Sequence, residues 1–521
     1  MQDNTKCRWP QNLSPARRRV LFWTLSATVV VAVAQPATGC TGYDIPTQPG
    51  ATYGEAGSVA PPPVGCDINV EPKDAPLCVD ESYAVFVDSN NGHDTASGTK
   101  ASPVKTITHA LTLLGNKPRI YICGAGTLNE HVELLSAISL YGGFDCANWE
   151  YNGKKAIVQS DTSDPALKLT RLPDAITVSD LRFEAQPGGT DPAVLSSVAV
   201  FTLNSTVTFR RTGLVAHVAV GGSDGANGQA GSQTVTSAGS TSASGTNAGT
   251  GMACTCSTGG SSNGGNGGSI YTGGQSGSSV PSVPNPTPPR DGVGGNGVTY
   301  NCSSGVGNNG ANAPAGANGA AMTSLGTLTP AGWLPSDGNP GRNGGPGQGG
   351  GGGGGNDGAG GGGGCGGCGA SGGGGGQAGG SSVALLSYQS TITLNSCQLL
   401  TDQAGKGGQG GTGGSAVGFG SGGGQGGSKS GGNDGCAGGY GGTGGNGGAG
   451  SGGAGGVSVA ILYAGGQPTT DSDCTLTSTA TSAAAGGTGG APGQAPDGND
   501  GPSGVVGKIV SADNGTVTVI E

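Results

Sequence analysis

Runs of Gly-Gly-X triplets, such as Gly441-Gly-Thr-Gly-Gly-Asn-Gly-Gly-Ala449, limit what this chain can fold into more than any other feature. Glycine accounts for 116 of 521 residues, and aromatic residues for only 4 %. A segment without side chains has nothing apolar to bury and loses the most backbone entropy on ordering. One packed core running through the whole chain is therefore excluded. Charged residues make up 10 %, too few for ordinary charge-driven disorder. The triplets also lack the proline that collagen needs at its X and Y positions. Two states compete for these tracts. One is disorder; the other is a bundle of left-handed extended helices with three residues per turn, where glycine permits close backbone approach. Glycine entropy favours the first, so the tracts are expected to be largely irregular and loosely packed. Cys254, Cys256, Cys302, Cys365, Cys368 and Cys436 are available to staple either state.

The N-terminus reads as an export address. Arg17, Arg18 and Arg19 precede the apolar run Val20 to Ala34, which is too short for a comfortable membrane span. Ala37-Thr38-Gly39-Cys40 follows, and small residues ahead of a cysteine resemble the bacterial lipobox. The expectation is a signal peptide over 1–39, with Cys40 lipidated as the new N-terminus and no inner-membrane retention aspartate at Thr41. Ordinary cleavage after Ala34, giving a secreted protein, and a retained anchor are the alternatives. Loss of 1–39 leaves 17 basic against 31 acidic residues, a net charge of −14. Such a chain repels nucleic acid and anionic membranes, so membrane contact is expected through the lipid alone. Twelve further cysteines remain beyond Cys7 and Cys40, an even number that suits disulfides in an oxidising compartment. Nearest-neighbour pairs in the ordered region are Cys66–Cys78 and Cys123–Cys146.

Residues 40–79 are rich in Pro, Gly and small residues and read as a tether. Ile107, Ala110, Leu111 and Leu114 form one helical stripe, and strands are legible at 83–87, 119–123 and 137–141. From residue 165 a repeat emerges. With Ile176 as zero, apolar residues fall at −9 (Leu167), −7 (Leu169), +2 (Val178), +5 (Leu181) and +7 (Phe183). Copies follow at Val198–Leu214, Val383–Leu399 and Val459–Leu476, the last one residue longer in its middle. Three short strands per copy, each with one face buried, predict stacked turns of a parallel β-helix. Cys397 and Cys474 share the +5 position, as packed thiols or as a disulfide between turns. The glycine-rich sequence falls between +7 of one copy and −9 of the next, so it should leave a rod along one edge. The domain reading is a cap and first turns over 80–215, insertion 216–380, turn 381–402, insertion 403–456, turn 457–480, insertion 481–504 and a partial turn 505–521.

The stretch from Val87-Asp-Ser-Asn-Asn-Gly-His-Asp94 to Ala110-Leu111 resembles the N-terminal cap of right-handed, pectate-lyase-like β-helix proteins of the DUF1565 type. Tyr141-Gly-Gly-Phe-Asp-Cys146 with Trp149 is similar to the variant in myxobacterial surface proteins with glycine-rich tracts. The triplets are similar in composition to PGRS repeats. The resemblance implies an all-β, right-handed parallel β-helix with a short N-terminal cap helix. It says little about activity, because one fold hosts lyases, hydrolases, adhesins and inert scaffolds.

No catalytic residue, metal site or cofactor is assigned. Lyases of this fold need a base beside carboxylate-bound Ca²⁺. Asp161, Asp164, Asp174, Asp180, Glu184, Arg182, Arg210 and Arg211 lie near the turns, and Asp180 and Arg182 should point outward, as a solvated face or an active site. Paired Asp motifs for glycoside hydrolysis are missing. Asp88, Asn90 and Asp94 offer oxygen ligands for Ca²⁺, but the cap motif already explains them. Gly351-Gly-Gly-Gly-Gly-Asn-Asp-Gly-Ala matches a calcium nonapeptide only in glycine content. Cys254-Thr-Cys256 with Cys365-Gly-Gly-Cys368 could form a Cys₄ zinc site, although disulfides are the commoner outcome of such a set in export. The four histidines are scattered, and no phosphate-loop motif occurs. The leading expectation is a non-enzymatic outer-membrane or cell-surface lipoprotein whose glycine-rich loops contact polysaccharide or other cell-surface components. A polysaccharide-lyase-like enzyme is the alternative, and a structural or ice-interacting glycine bundle a third reading.

Overall fold

A computed structural model describes residues 59–521 except 192, 238–241, 284–291, 299–300, 419 and 492–496. The export segment and Cys40 lie outside the described residues. The protein is all-β; most of its strands are dealt in rotation to three mostly parallel sheets, and the remainder form a four-stranded antiparallel sheet over 233–280 and a two-stranded hairpin over 326–335. The first sheet runs Ala84–Asp88, Arg119–Cys123, Ser139–Phe144, Ile176–Ser179, Thr206–Arg210, Thr391–Asn395 and Thr469–Thr470. The second runs Val132–Leu134, Leu167–Thr170, Ser197–Leu203, Ser382–Tyr388, Ser458–Ala464 and Val506–Ser511, and ends on the antiparallel Thr518–Val519. The third runs Thr127–Asn129, Ala156–Gln159, Leu181–Glu184, Gly213–Val215, Gln398–Thr401 and Thr475–Ser478.

Alternation within each strand puts one residue in two inside, and stacking gives every inward side chain a like neighbour above and below. Val207 pairs with Ile176 and Ile392, Phe209 with Val178 and Leu394, and Leu214 with Phe183 and Leu399. All are essentially buried in one apolar core. Each fully buried aliphatic or aromatic side chain in these columns contributes about 1.5–3 kcal/mol. Asp180, Arg211 and Ser396 turn the chain from the first sheet to the third, all with φ between 49° and 57°. Arg171, Asn204 and Gln389 occupy a second set of such corners, with Gly465 next in the stack. A left-handed residue costs a non-glycine side chain about 1–2 kcal/mol. Here it keeps the ladder unbroken: Arg171, Asn204 and Gln389 each donate their N–H to the next turn, at 2.7–3.0 Å.

Two details of the repeat differ from the sequence alignment. Leu167 pairs with Val200, not Val198, so the first copy is two residues longer before Ile176. In the last copy Thr469 pairs with Thr393, which moves the extra residue into the turn after Thr470. Moreover, Val198, Val383 and Val459 do not join the inner core. With Phe201, Leu386 and Leu462 they form an outer apolar face on the second sheet, covered by Leu328 and Trp333 of the hairpin Gly326–Thr329/Gly332–Pro335. The echo Ser-Val-Ala-(Val/Leu/Ile) therefore marks a place where strands change face.

Thr106 caps the helix Ile107–Thr112 by accepting the His109 N–H, and buried Glu130 accepts the N–H groups of Ile107 and Thr108, both at 2.8 Å. Ile107 and Ala110 pack fully into the core, with Leu111 and Leu114 beside them. Residues 66–79, expected as tether, are folded. Cys66 is bonded to Cys78, and the Tyr121 hydroxyl donates to the Cys78 carbonyl. Val79 joins Phe86, Tyr121, Phe144 and Trp149 in an aromatic layer outside the first sheet. No helix among the described residues is long and apolar enough to cross a membrane.

Candidate functional site

Each long connection leaves the third sheet and re-enters at the second: Val215 to Ser382, Thr401 to Ser458, and Ser478 to Val506. The glycine tracts within them are neither helix nor strand by pattern, yet they are not loose. Their backbone hydrogen bonds repeat every three residues. The N–H groups of Gly349, Gly352 and Gly355 donate to the carbonyls of Ser278, Gln275 and Thr272. Gly350 and Gly353 donate to Gly364 and Gly361, and Gly351 and Gly354 to Asn308 and Gly305. One tract thus addresses three neighbours through three sides, as an extended helix of three residues per turn does. Gly405, Gly408, Gly411 and Gly414 donate to Gly380, Gln377, Gly374 and Ser371, an antiparallel pairing. Gly222, Gly225, Gly228 and Gly231 donate to Lys406, Gln409, Thr412 and Ser415, a parallel one. The expectation of loosely packed tracts is corrected here: backbone bonds recurring every three residues on each paired side offset the lost glycine entropy.

Packing reads directly from the number of glycines per triplet. Residues 349–355 are all glycine and all buried. A Cβ on Gly352 would lie 2.0 Å from the Asn266 carbonyl oxygen, and one on Gly353 2.0 Å from that of Cys436. In 405–414 two of each three residues are glycine, Gly405, Gly408, Gly411 and Gly414 are buried, Gly407 and Gly410 are half-buried, and Lys406 and Gln409 are exposed. In 222–231 one in three is glycine, and both residues between successive glycines are exposed. Glycine is thus needed once for every side that meets another backbone.

At the margins, Asp and Asn side chains, most of them just before a glycine, cap the neighbouring tract. Asp224 and Asn227 accept the N–H groups of Gln409 and Thr412, at 2.7 and 2.9 Å. Asn309, Asn312 and Asn318 do the same for Tyr440, Thr443 and Ala449. The three-residue spacing of these Asx residues was available in the sequence as a sign of an ordered tract edge.

Disulfides tie the assembly together. Cys254 is bonded to Cys365, Cys256 to Cys368, and Cys302 to Cys436. Residues two apart on the strand Ala253–Cys256 share one face, and residues three apart on a three-fold helix share one side. The pairing is therefore Cys-x-Cys to Cys-x-x-Cys, and none of these four sulfurs is left as a zinc ligand. Cys123 is bonded to Cys146. Cys397 and Cys474 stay as thiols one above the other, the Cys397 N–H donating to the Cys474 sulfur at 3.3 Å. Burial pushes the Cys474 thiol up to about 11, which suppresses its reactive thiolate.

Other sequence candidates are already occupied. Asp180 is 2 % exposed instead of solvated. It accepts from Arg211 Nε and Nη2, both at 2.8 Å, and from the Tyr151 hydroxyl at 2.9 Å. Glu71 closes this network, pairing with Arg210 at 2.7 Å and with Arg211. Arg182 is engaged by Glu184. Asp88 accepts the N–H groups of Asn90 and Asn91, and Asp94 those of Lys105 and Thr106. Asp161 and Asp174 are exposed and removed from this network.

A cleft of about 500 Å³ opens where the Trp333 hairpin, the second sheet and the glycine layers meet. Phe201, Leu386 and Trp333 line it, with Asp164, Lys168, Asp337 and Gln377 among its polar groups. Sequence reasoning missed it, because its walls come from segments far apart in the chain. No protein-family model matches the chain, and neither a curated protein nor a solved structure does.

Two outcomes follow. Gly353→Ala should lower the unfolding midpoint by several degrees, because the carbonyl of Cys436 cannot give way, whereas Lys406→Ala should leave it within a degree; thermal unfolding compares them. For Glu71, burial raises the carboxyl pKa, but Arg211 and Arg210 outweigh it and hold the group below its ordinary value. Stability from a depressed carboxylate is present above the unfolded pKa, about 4.3, and is lost as pH falls through the folded value. Glu71→Gln should therefore cost about 1 kcal/mol at neutral pH and progressively less as pH falls below the unfolded carboxylate value. A penalty that does not shrink as pH falls would remove this ion network from the account.

Proposed function

We propose that the chain is an exported, non-enzymatic surface protein in which a right-handed parallel β-helix carries a glycine-helix slab for weak multivalent contact with polysaccharide or neighbouring cells. On this reading the three sheets are the faces of a pectate-lyase-like rod and Ile107–Thr112 caps its N-terminal end. Lipidated Cys40 anchors it at the outer membrane or cell surface. The observation that carries the proposal is the layering of the glycine tracts. Their outermost triplets expose short, mostly uncharged side chains every third residue, about 9 Å apart along an extended helix. Gln409 and Thr412 on one tract and Gln229 on the next belong to such ranks. Many equal, weak hydrogen-bonding groups on an ordered frame suit repeated contact with a repeating polymer, since each contact raises the effective concentration of the next. The disulfides fit an oxidising, exported environment. Asp180 and Arg182, the residues best placed for a lyase-like chemistry, are committed to Arg211, Tyr151 and Glu184.

The test incubates the oxidised full chain with insoluble polysaccharides and whole bacterial cells, following depletion of protein and release of reducing ends or unsaturated products. The expected result is retention without cleavage, reduced by Gly353→Ala. Turnover of any polymer, or no retention on any surface, would overturn the proposal.

A further inference from the structure

The cleft beneath the Trp333 hairpin goes beyond the surface-contact reading and stands independently of it. We propose that it binds a basic peptide segment, one Lys or Arg side chain flanked by apolar residues.

The charge of the walls points to a cation. Among the described residues, Lys168 is the one basic residue lining the cleft, and Glu133 already holds its ammonium at 3.0 Å. Asp164 and Asp337 are left as unbalanced carboxylates. Asp337 uses Oδ1 to accept the Ala378 N–H at 2.7 Å, and so is fixed in place while its charge stays unpaired. The chain as a whole carries −10, which adds long-range attraction for a basic partner.

The floor points to an apolar flank and an aromatic contact. Phe201 and Leu386 belong to the outer apolar face of the second sheet, and the hairpin covers that face without filling the cleft. Trp333 supplies an aromatic surface suited to a guanidinium or ammonium. Its indole N–H is buried and has no acceptor among the described residues. Buried donors are rarely left so. Protein atoms cover this donor, so the cleft is offered the ring of Trp333 and not its N–H. Apolar contact, aromatic face and two carboxylates together match a basic peptide better than an anion or a purely apolar ligand. At about 500 Å³ the cleft holds a few residues.

The test uses acetyl-Leu-Arg-Leu-amide and the same peptide with citrulline, which keeps the shape and removes the charge. Binding to the full chain is measured by calorimetry at low ionic strength. The arginine peptide should bind saturably and at least fivefold more tightly than the citrulline one. The double variant Asp164→Asn/Asp337→Asn should abolish that difference, since the amide introduced at position 337 retains an acceptor oxygen for the Ala378 N–H. Ala193→Trp, placed on an exposed lining position, should block both peptides while leaving the unfolding midpoint unchanged. No saturable binding, equal binding of both peptides, or full binding by the blocked variant would each overturn the proposal. None of these outcomes bears on retention by polysaccharide, which is read separately.

Discussion

Backbone hydrogen bonding between glycine helices is the constraint on which the rest of this protein depends. A strand pairs along two edges, but a three-residue helix can pair along three sides, and only where no Cβ stands between the backbones. With a hypothetical Cβ on Gly352 or Gly353 only 2.0 Å from a carbonyl oxygen, no other residue fits the centre of the slab. The resulting structure has almost no apolar surface to bury. Its stability rests on many backbone bonds, each worth about 1 kcal/mol net against the entropy of an ordered glycine. That balance is too narrow to leave the tracts unaided. The parallel sheets bring the tract ends together at one corner of each turn, and Cys254–Cys365, Cys256–Cys368 and Cys302–Cys436 restrict their unfolded freedom.

The sheets in turn need the glycine-bearing insertion. Phe201, Leu386 and Leu462 form an apolar face outside the second sheet that would otherwise be wet. The hairpin around Leu328 and Trp333, which interrupts the longest glycine-rich segment, closes over it. The two parts of the molecule are thus mutually stabilising, and the cleft lies at their junction.

Much of this order was legible in the residues. Val207, Phe209 and Leu214 announce their sheets because strand alternation and stacking act locally. The position of the insertions followed from the same repeat. The corner residues were not legible: Asp180, Arg211 and Ser396 share a left-handed conformation but no chemistry that signals it. Asp180 looked solvent-facing from its parity, whereas its surroundings are set by Glu71, more than a hundred residues earlier. The order of the glycine tracts was hidden for another reason. Entropy per residue can be judged from composition, but the compensating bonds come from partners far along the chain, as Gly351 with Asn308 and Gly225 with Gln409 show. The Asx residues at three-residue spacing were the one local trace of those partnerships.

Amide hydrogen exchange across residues 349–380 tests the central claim most directly. If the tracts are hydrogen-bonded on three sides, their amides should exchange as slowly as those of the strands Thr206–Arg210 and Thr391–Asn395, and Gly353→Ala should accelerate them locally. Exchange at the rate of an unstructured glycine chain, with the strands still protected, would contradict it.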